Sequence, residues 1–458
     1  MVRRFLKAAA PLATLVCAAM APPPHSAGIT ATSYTAGYAA LGTRIPAFAR
    51  KYGLRCSACH TAWPELSAFG QRFKDNGYQL GNDRDSPIWQ NNAYWPIAMR
   101  TTPQWRLENT TNQVTTSAPG GKTITQVGFD LSGVDFLLLG TLYKDITFGL
   151  VPTLGSDGAT GLEAAFVRFD NLGSSPWANL KVGKFELDNL LSEKRITWLS
   201  HNGGFYYAYH YLPVGSTNSF GFGNNQIGAE FSGHSSNSYT RYSVSLLTTD
   251  DGTTGVPGGK SMDAMFTASR AFAFGSGLGP QRFAVFGYLG HRPTVFDSVG
   301  GAPIPGTGSA NKSFVRFGAT AQLWIGNLEF IPLVSHASDD AALGPGAVKP
   351  AWNTALLEAH YVATPRLLVQ GRYELVRMSK QGDPAIPKTQ GNADAFTFGV
   401  RAYPFMFSRD GMALHAEFAM TKTIGTVPLS GDGSGVDPVS PTTVVWSRSL
   451  LLAFDFAF

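Results

Sequence analysis

The chain is poor in cysteine, with three in 458 residues, and poor in charge, with Asp, Glu, Lys and Arg together at 15%. So few cysteines cannot build the disulfide framework of a small secreted domain. Low charge beside 44% hydrophobic residues excludes a disordered chain. Long apolar runs are missing as well. Beyond the start of the chain no stretch approaches the roughly 18 apolar residues of a membrane helix, which excludes a helical membrane protein. Nor is there a real excess of one charge. The formal +5 includes Arg3, Arg4 and Lys7, and removing these three from 36 basic residues leaves 33 against 31 acids. Nucleic acid is not an expected partner.

What is present opens with an export signal. Arg3, Arg4 and Lys7 form a basic n-region and Ala8 to Ala21 a short apolar one, so residues 1–27 read as a signal peptide cut after Ala21 or Ala27. Cys17 leaves with it, so the mature chain keeps only Cys56 and Cys59.

Two regions follow, 28–94 and 95–458. Residues 45–80 read as short and helical, whereas everything from about Trp95 onward alternates strand and turn. Apolar and polar residues alternate with the period of a strand. Leu162, Ala164, Phe166 and Arg168 face Glu163, Ala165, Val167 and Phe169; Leu452, Phe454, Phe456 and Phe458 oppose Asp455 and Ala457. About sixteen strands are predicted, near 97–111, 124–142, 146–154, 162–170, 177–186, 225–233, 238–248, 261–274, 281–291, 311–323, 326–337, 353–362, 366–378, 393–402, 411–421 and 443–458. Tight turns at Lys144-Asp145, Trp324 to Asn327 and Thr364-Pro365 interleave with long Gly-, Ser- and Pro-rich loops, at 188–224 and 422–441 among others. Short turns alternating with long loops, and an aromatic last residue, are the pattern of bacterial outer-membrane barrels. The expected fold class is therefore all-β, an antiparallel transmembrane β-barrel in the outer membrane, facing lipid and with both termini in the periplasm. A soluble propeller or sandwich accounts for many strands but for neither the loop parity nor the export signal.

Chemistry is carried by Cys56-Ser57-Ala58-Cys59-His60. C-x-x-C-H is the sequence through which haem c is attached by two thioethers, with the His placed to bind iron. A zinc site needs four ligands and finds three here. A thioredoxin-type pair needs a βαβ context that this chain lacks. A structural disulfide between Cys56 and Cys59 is the alternative that an oxidising compartment permits; one covalent haem c on Cys56 and Cys59, with His60 as axial ligand, is the expected cofactor. Residues 61–98 hold no second His or Met, so Met99, on the first strand, is the next candidate for a sixth ligand, with His201 and His210 as others. Met99 packing in the barrel wall is the plainer reading.

Some 35 residues are too few to bury a haem, because domains below about 40 residues need outside help. A barrel of about sixteen strands has room for a plug, so the helical monohaem segment is expected inside the lumen. Phe48, Trp63, Phe69 and Phe73 are candidate contacts with haem or wall, and Pro64-Glu65 suit the first turn of a helix carrying Leu66, Phe69 and Phe73.

The run Ile45-Pro46-Ala47-Phe48-Ala49-Arg50, the haem motif, Trp63-Pro64-Glu65-Leu66, Phe69-Gly70, Phe73-Lys74 and Gly77-Tyr78-Gln79-Leu80 resembles the N-terminus of the fused cytochrome-porin family. Gly183 to Asp188 with Leu191-Ser192-Glu193 is similar to an internal stretch of it. The best-known members are the outer-membrane monohaem cytochromes of Fe(II)-oxidising bacteria. The resemblance implies that extracellular Fe(II), or another donor, gives electrons to the haem, and that a periplasmic cytochrome or copper protein receives them. That would be an Fe(II):cytochrome c oxidoreductase activity. A different class, a solute porin whose haem segment gates or senses, predicts an open conducting lumen instead. A peroxidase would need distal acid-base residues, and no such constellation stands out.

Overall fold

The computed structural model describes residues 47–80, 97–115, 118–188, 197–199, 211–213, 218, 220–222, 225–248, 262–274, 280–293, 298–299, 302–303, 311–340, 348–405, 411–426 and 440–457. The expected signal peptide, most of the segment boundary near 82–94, His201, His210 and Phe458 lie outside these residues.

Sixteen strands close into one antiparallel barrel. They are β1 (Ile97–Thr115), β2 (Ala118–Tyr143), β3 (Ile146–Leu154), β4 (Thr160–Phe169), β5 (Asn179–Phe185), β6 (Gln226–His234), β7 (Thr240–Leu247) and β8 (Asp263–Phe272). The second half holds β9 (Gln281–Pro293), β10 (Asn311–Ile325), β11 (Leu328–Asp339), β12 (Ala351–Thr364), β13 (Leu367–Lys380), β14 (Ala393–Ala402), β15 (Gly411–Ile424) and β16 (Val444–Ala457). Each strand pairs with its neighbours in sequence, and β16 pairs with β1 through Leu450 to Leu107 and Ala457 to Arg100. Closure leaves no edge with unpaired backbone groups, which is the condition for strands to cross lipid.

Alternation runs opposite to that of a soluble protein. On β12, Leu357 and Tyr361 are exposed, whereas Glu358 and His360 are buried. On β16, Phe454 is 48% exposed beside Asp455 at 0%. Apolar side chains point out and polar ones point in, the arrangement of a barrel whose solvent is lipid. Beside Pro152 the phase slips where the sequence read straight through. Pro152 pairs with Leu162 and Val151 with Ala164, so Glu163 is an extra residue on β4. Proline has no N–H for the ladder, and the bulge beside it absorbs the loss. Leu162 therefore faces outward, on the opposite side from Ala164 and Phe166.

Lys144-Asp145, Gly326-Asn327 and Pro365-Arg366 make the tight turns, at the barrel end where β1 starts and β16 finishes. Lys144 (φ 40°) and Gly326 (φ 59°) take the left-handed conformation that such short reversals require.

Inside, buried side chains meet two other parts of the chain. One is residues 47–80, built from α1 (Ala47–Tyr52), α2 (Cys56–Cys59), a two-stranded ribbon (His60–Ala62 with Glu65–Leu66) and α3 (Ala68–Asp75). The helix after the motif starts later than its sequence suggests: Pro64 and Glu65 belong to the ribbon, and Ser67 caps α3 by accepting a bond from the Gly70 N–H at 3.2 Å. The other part is the connection between β5 and β6, expected as an outer loop. Its described residues pack inward instead. The Leu199 N–H donates to Glu417, Arg401 donates to the Thr197 carbonyl, and Phe220 lies 4.0 Å from Tyr288. Trp198, Phe220 and Phe222 join Tyr288, Phe314 and Leu333 in the largest buried apolar cluster.

Candidate functional site

The site grows from α2, a single turn carrying Cys56 and Cys59, with His60 leaving it in extended conformation. The two cysteines are not joined to each other in a disulfide. The backbone packs tightly beneath them. A Cβ on Gly70 would collide with the Cys59 carbonyl, so only glycine lets α3 approach α2 this closely. The Ser67 hydroxyl ties the two together by donating to the Ala58 carbonyl at 3.2 Å.

His60 is oriented by its own ribbon. Its Nδ1 lies 3.1 Å from the Pro64 carbonyl and 3.2 Å from that of Glu65. Both partners are acceptors, so Nδ1 carries the proton and Nε2 keeps its lone pair. Burial lowers the pKa of the ring, against the lift from these two carbonyls, and favours the neutral, metal-ligating form. Burial also raises the Cys59 thiol.

Cys56, Cys59 and His60 line one cavity of about 410 Å³, a size typical of small-molecule sites. Its far wall is the barrel: Leu137 and Leu139 of β2, Val151 of β3, Phe166 of β4 and Phe185 of β5. Arg100, Arg168 and Lys181 bring positive charge to this mostly apolar wall, and Asp135 and Glu163 bring acid. Glu163 reaches the interior because of the bulge. Phe48, Trp63 and Phe73 line the cavity as the sequence suggested, whereas Phe69 does not and lies under Arg72 instead.

Met99 is turned away. Ala98 and Arg100 line the cavity, and adjacent strand residues point to opposite faces, so Met99 between them faces outward. Its partner across the ladder, Phe136, is likewise absent from the lining, while Asp135 and Leu137 on either side are present. Met99 is therefore not placed to be a sixth ligand. Among the described residues, no histidine other than His60 and no methionine lines the cavity.

The segment is fastened to the wall by polar contacts at several points. Gln79 donates to the Lys144 carbonyl at 2.9 Å, and Arg168 donates to that of Lys74 at 3.1 Å. Arg241 pairs with Asp75 at 3.0 Å and with Asp188 at 3.0 Å. Burial would raise the Asp75 carboxyl, but the Arg241 guanidinium outweighs it and holds the pKa below its ordinary value. Arg100 grips Asp455 through two bonds of 3.0 and 3.1 Å, and its guanidinium lies 5.2 Å from the Trp63 ring. Phe48 stacks on Tyr78 and Phe73 meets both edge-on, with centroids 5.1 to 6.1 Å apart. Burying Phe73 stabilises the segment by roughly 1.5–3 kcal/mol.

A second group was invisible in the sequence. Glu65 of the ribbon meets Glu329 of β11 and His360 of β12, residues hundreds of positions away. Burial, and then the charge of Glu329, push the Glu65 carboxyl up to about 8. The only local hint was Glu358-x-His360 on the inward phase of β12.

The fold is a closed antiparallel β-barrel of sixteen strands, and described residues of segment 47–80 and of the β5–β6 connection contact its wall. Among solved structures, an anion-selective porin from Comamonas acidovorans is similar, with 14% identity, a TM-score of 0.52, and coverage of 79% of this chain and all of that one. OmpT, an outer membrane protein of Vibrio cholerae, aligns at 10% identity and TM-score 0.46, over 81% of this chain and all of its own. OprB of Pseudomonas putida aligns at 12% and 0.45, over 79% and 94%. No family model and no curated protein matches the chain.

Proposed function

We propose that the chain is an outer-membrane c-type cytochrome that takes electrons from an extracellular donor, Fe(II), and passes them to a periplasmic carrier. The observation that carries this is the convergence of Cys56, Cys59 and His60 on one cavity closed by the barrel wall. The residues fit a haem on three counts. Two cysteines outside any disulfide line the cavity, His60 is fixed with Nε2 unprotonated, and an apolar wall is dotted with the cations that propionates require. A bound haem c supplies reversible one-electron exchange at iron.

The chain's own residues supply the rest. Cys56 and Cys59 tether, and His60 ligates. Leu137, Leu139, Val151, Phe166 and Phe185 exclude water, while Arg100, Arg168 and Lys181 offer positive charge to carboxylates. The inward-packed segment 47–80 and the β5–β6 connection make a plugged lumen, which favours passage of electrons over passage of solute. The termini belong to the short-turn end, the periplasmic side of outer-membrane barrels.

The test is a visible spectrum of the purified oxidised protein before and after anaerobic Fe(II). Rapid appearance of reduced c-type bands is expected. Reduction by dithionite but not by Fe(II) would discard iron as the donor, and absence of covalent haem would discard the cytochrome.

A second reading, a solute porin with a haem-bearing gate, is favoured by the barrel's likeness to an anion-selective porin. It requires steady ion conductance through the full-length protein in a planar bilayer.

A further inference from the structure

We propose that Glu65, Glu329 and His360 form a binding site for one divalent first-row transition metal ion, which clamps the N-terminal segment to the barrel wall. Glu329 and His360 are direct partners across the β11–β12 ladder, so both point inward at the same level, and Glu65 approaches them from the segment. His360 Nδ1 stands 2.9 Å from one Glu65 oxygen and 3.4 Å from one Glu329 oxygen. These are the separations of neighbouring ligands around one ion: with bonds of about 2.1 Å, ligand atoms stand about 3.0 Å apart in an octahedron and about 3.4 Å apart in a tetrahedron.

The surroundings are built for ligation. His360 Nε2 lies 2.6 Å from Glu358, itself backed by Arg372 at 3.8 Å. Glu358 can thus hold a ring proton on Nε2, so that Nδ1, which shares a proton with Glu65 across 2.9 Å, can give that proton up and turn a lone pair toward a cation, the carboxylate–histidine arrangement found behind metal-binding imidazoles. Gln322 donates to the other Glu329 oxygen and holds it in place. A cation that displaces the proton between Nδ1 and Glu65 would be held by all three side chains at once. Glu329 is fully buried, and its Oε2 accepts no hydrogen bond, nor does Glu65 Oε1. A cavity of about 310 Å³ opens on the group and leaves room for water to complete the coordination sphere. One imidazole with two carboxylates selects first-row divalent ions over Ca²⁺ or Mg²⁺, which prefer oxygen throughout.

No residue of the three lines the cavity of Cys56, Cys59 and His60, so this site stands or falls independently of the haem. The probe is Zn(II), titrated into full-length, untagged, chelator-stripped protein in detergent. One Zn(II) per chain is expected, with affinity at least tenfold weaker in Glu329→Gln and in His360→Ala and unchanged in the control Glu108→Gln. The shift in electrophoretic mobility on boiling shows that each variant barrel is folded. X-ray absorption at the zinc edge of the unaltered protein reads the ligands directly, as one nitrogen and otherwise oxygen. No stoichiometric zinc, binding that survives both substitutions, or a zinc shell without nitrogen overturns the proposal. The last measurement decides even if the variants fail to fold.

Discussion

At the scale of single residues, the interior works through a few side chains whose replacement has distinct consequences. Replacing Cys56 and Cys59 together with alanine removes both thioethers, and the expected outcome is loss of haem stain from the denatured polypeptide; stain that persists would place the attachment elsewhere. Gly70→Ala drives a methyl group into the Cys59 carbonyl. Overpacking of this kind costs about 1–3 kcal/mol, and the folded yield of haem-loaded protein, compared with a Ser57→Ala control, is expected to fall accordingly. Asp75 gives a pH signature. Its pKa is lowered on docking, so the Arg241 pair stabilises the segment at every pH above the unfolded value of 3.8 and loses that contribution as pH falls through the lower folded value. The gap in thermal stability between the unaltered protein and Asp75→Asn should therefore stay constant from neutral pH down to about 5 and close only below about 4.

At the scale of elements, the seam between β16 and β1 is held in part by buried charge. Asp455 on β16 accepts from Arg100 of β1, from Arg401 of β14 at 2.8 Å and from Thr102 at 3.2 Å. Its side chain and that of Arg401 are fully buried. A buried pair of this kind adds little over an apolar substitute, yet breaking it strands the opposite charges. Asp455→Asn leaves two arginines short of their counter-ion, and a loss of about 3–5 kcal/mol is expected from urea unfolding in micelles. Phe454→Leu, next along β16 but facing outward, should cost far less, because it exchanges one lipid-facing apolar surface for another.

At the scale of the whole molecule, the question is what occupies the lumen. Buried polar wall residues receive segment 47–80 on one side and the β5–β6 connection on another, with an apolar cluster where a water-filled channel would need polar lining. Full-length protein in a planar bilayer is expected to show little conductance, and a variant lacking residues 28–80 several times more. Equal conductance from the two would return the molecule to the porin class. Length and closure of the barrel do not decide between these, since the same scaffold carries either use.

Much of this was legible in the chain, because the properties concerned are local. Period-two alternation, short turns such as Lys144-Asp145 and long polar loops specify strands, their number and the inside-out sense of the wall within windows of ten residues or so. The Cys56 to His60 motif carries the proposed haem chemistry within five positions, and the structure brings its three side chains onto one cavity. What the sequence could not settle depends on phase or on distance. Met99 was a candidate ligand by position along the chain, and strand phase relative to Ala98 and Arg100 turned it outward. Pro64-Glu65 looked like a helix start, and the ribbon formed with His60–Ala62 took Pro64 into its turn and Glu65 into its second strand instead. Glu163 faces the cavity through a bulge set by Pro152 on the neighbouring strand. Glu65, Glu329 and His360 have no shared motif, and only closure of the barrel around the segment brings three candidate ligands from three elements together. Local periodicity determined the elements by itself, and the long-range register of a closed sheet decided which side chains met, because alternation fixes which way a residue points only once its phase against its neighbours is set.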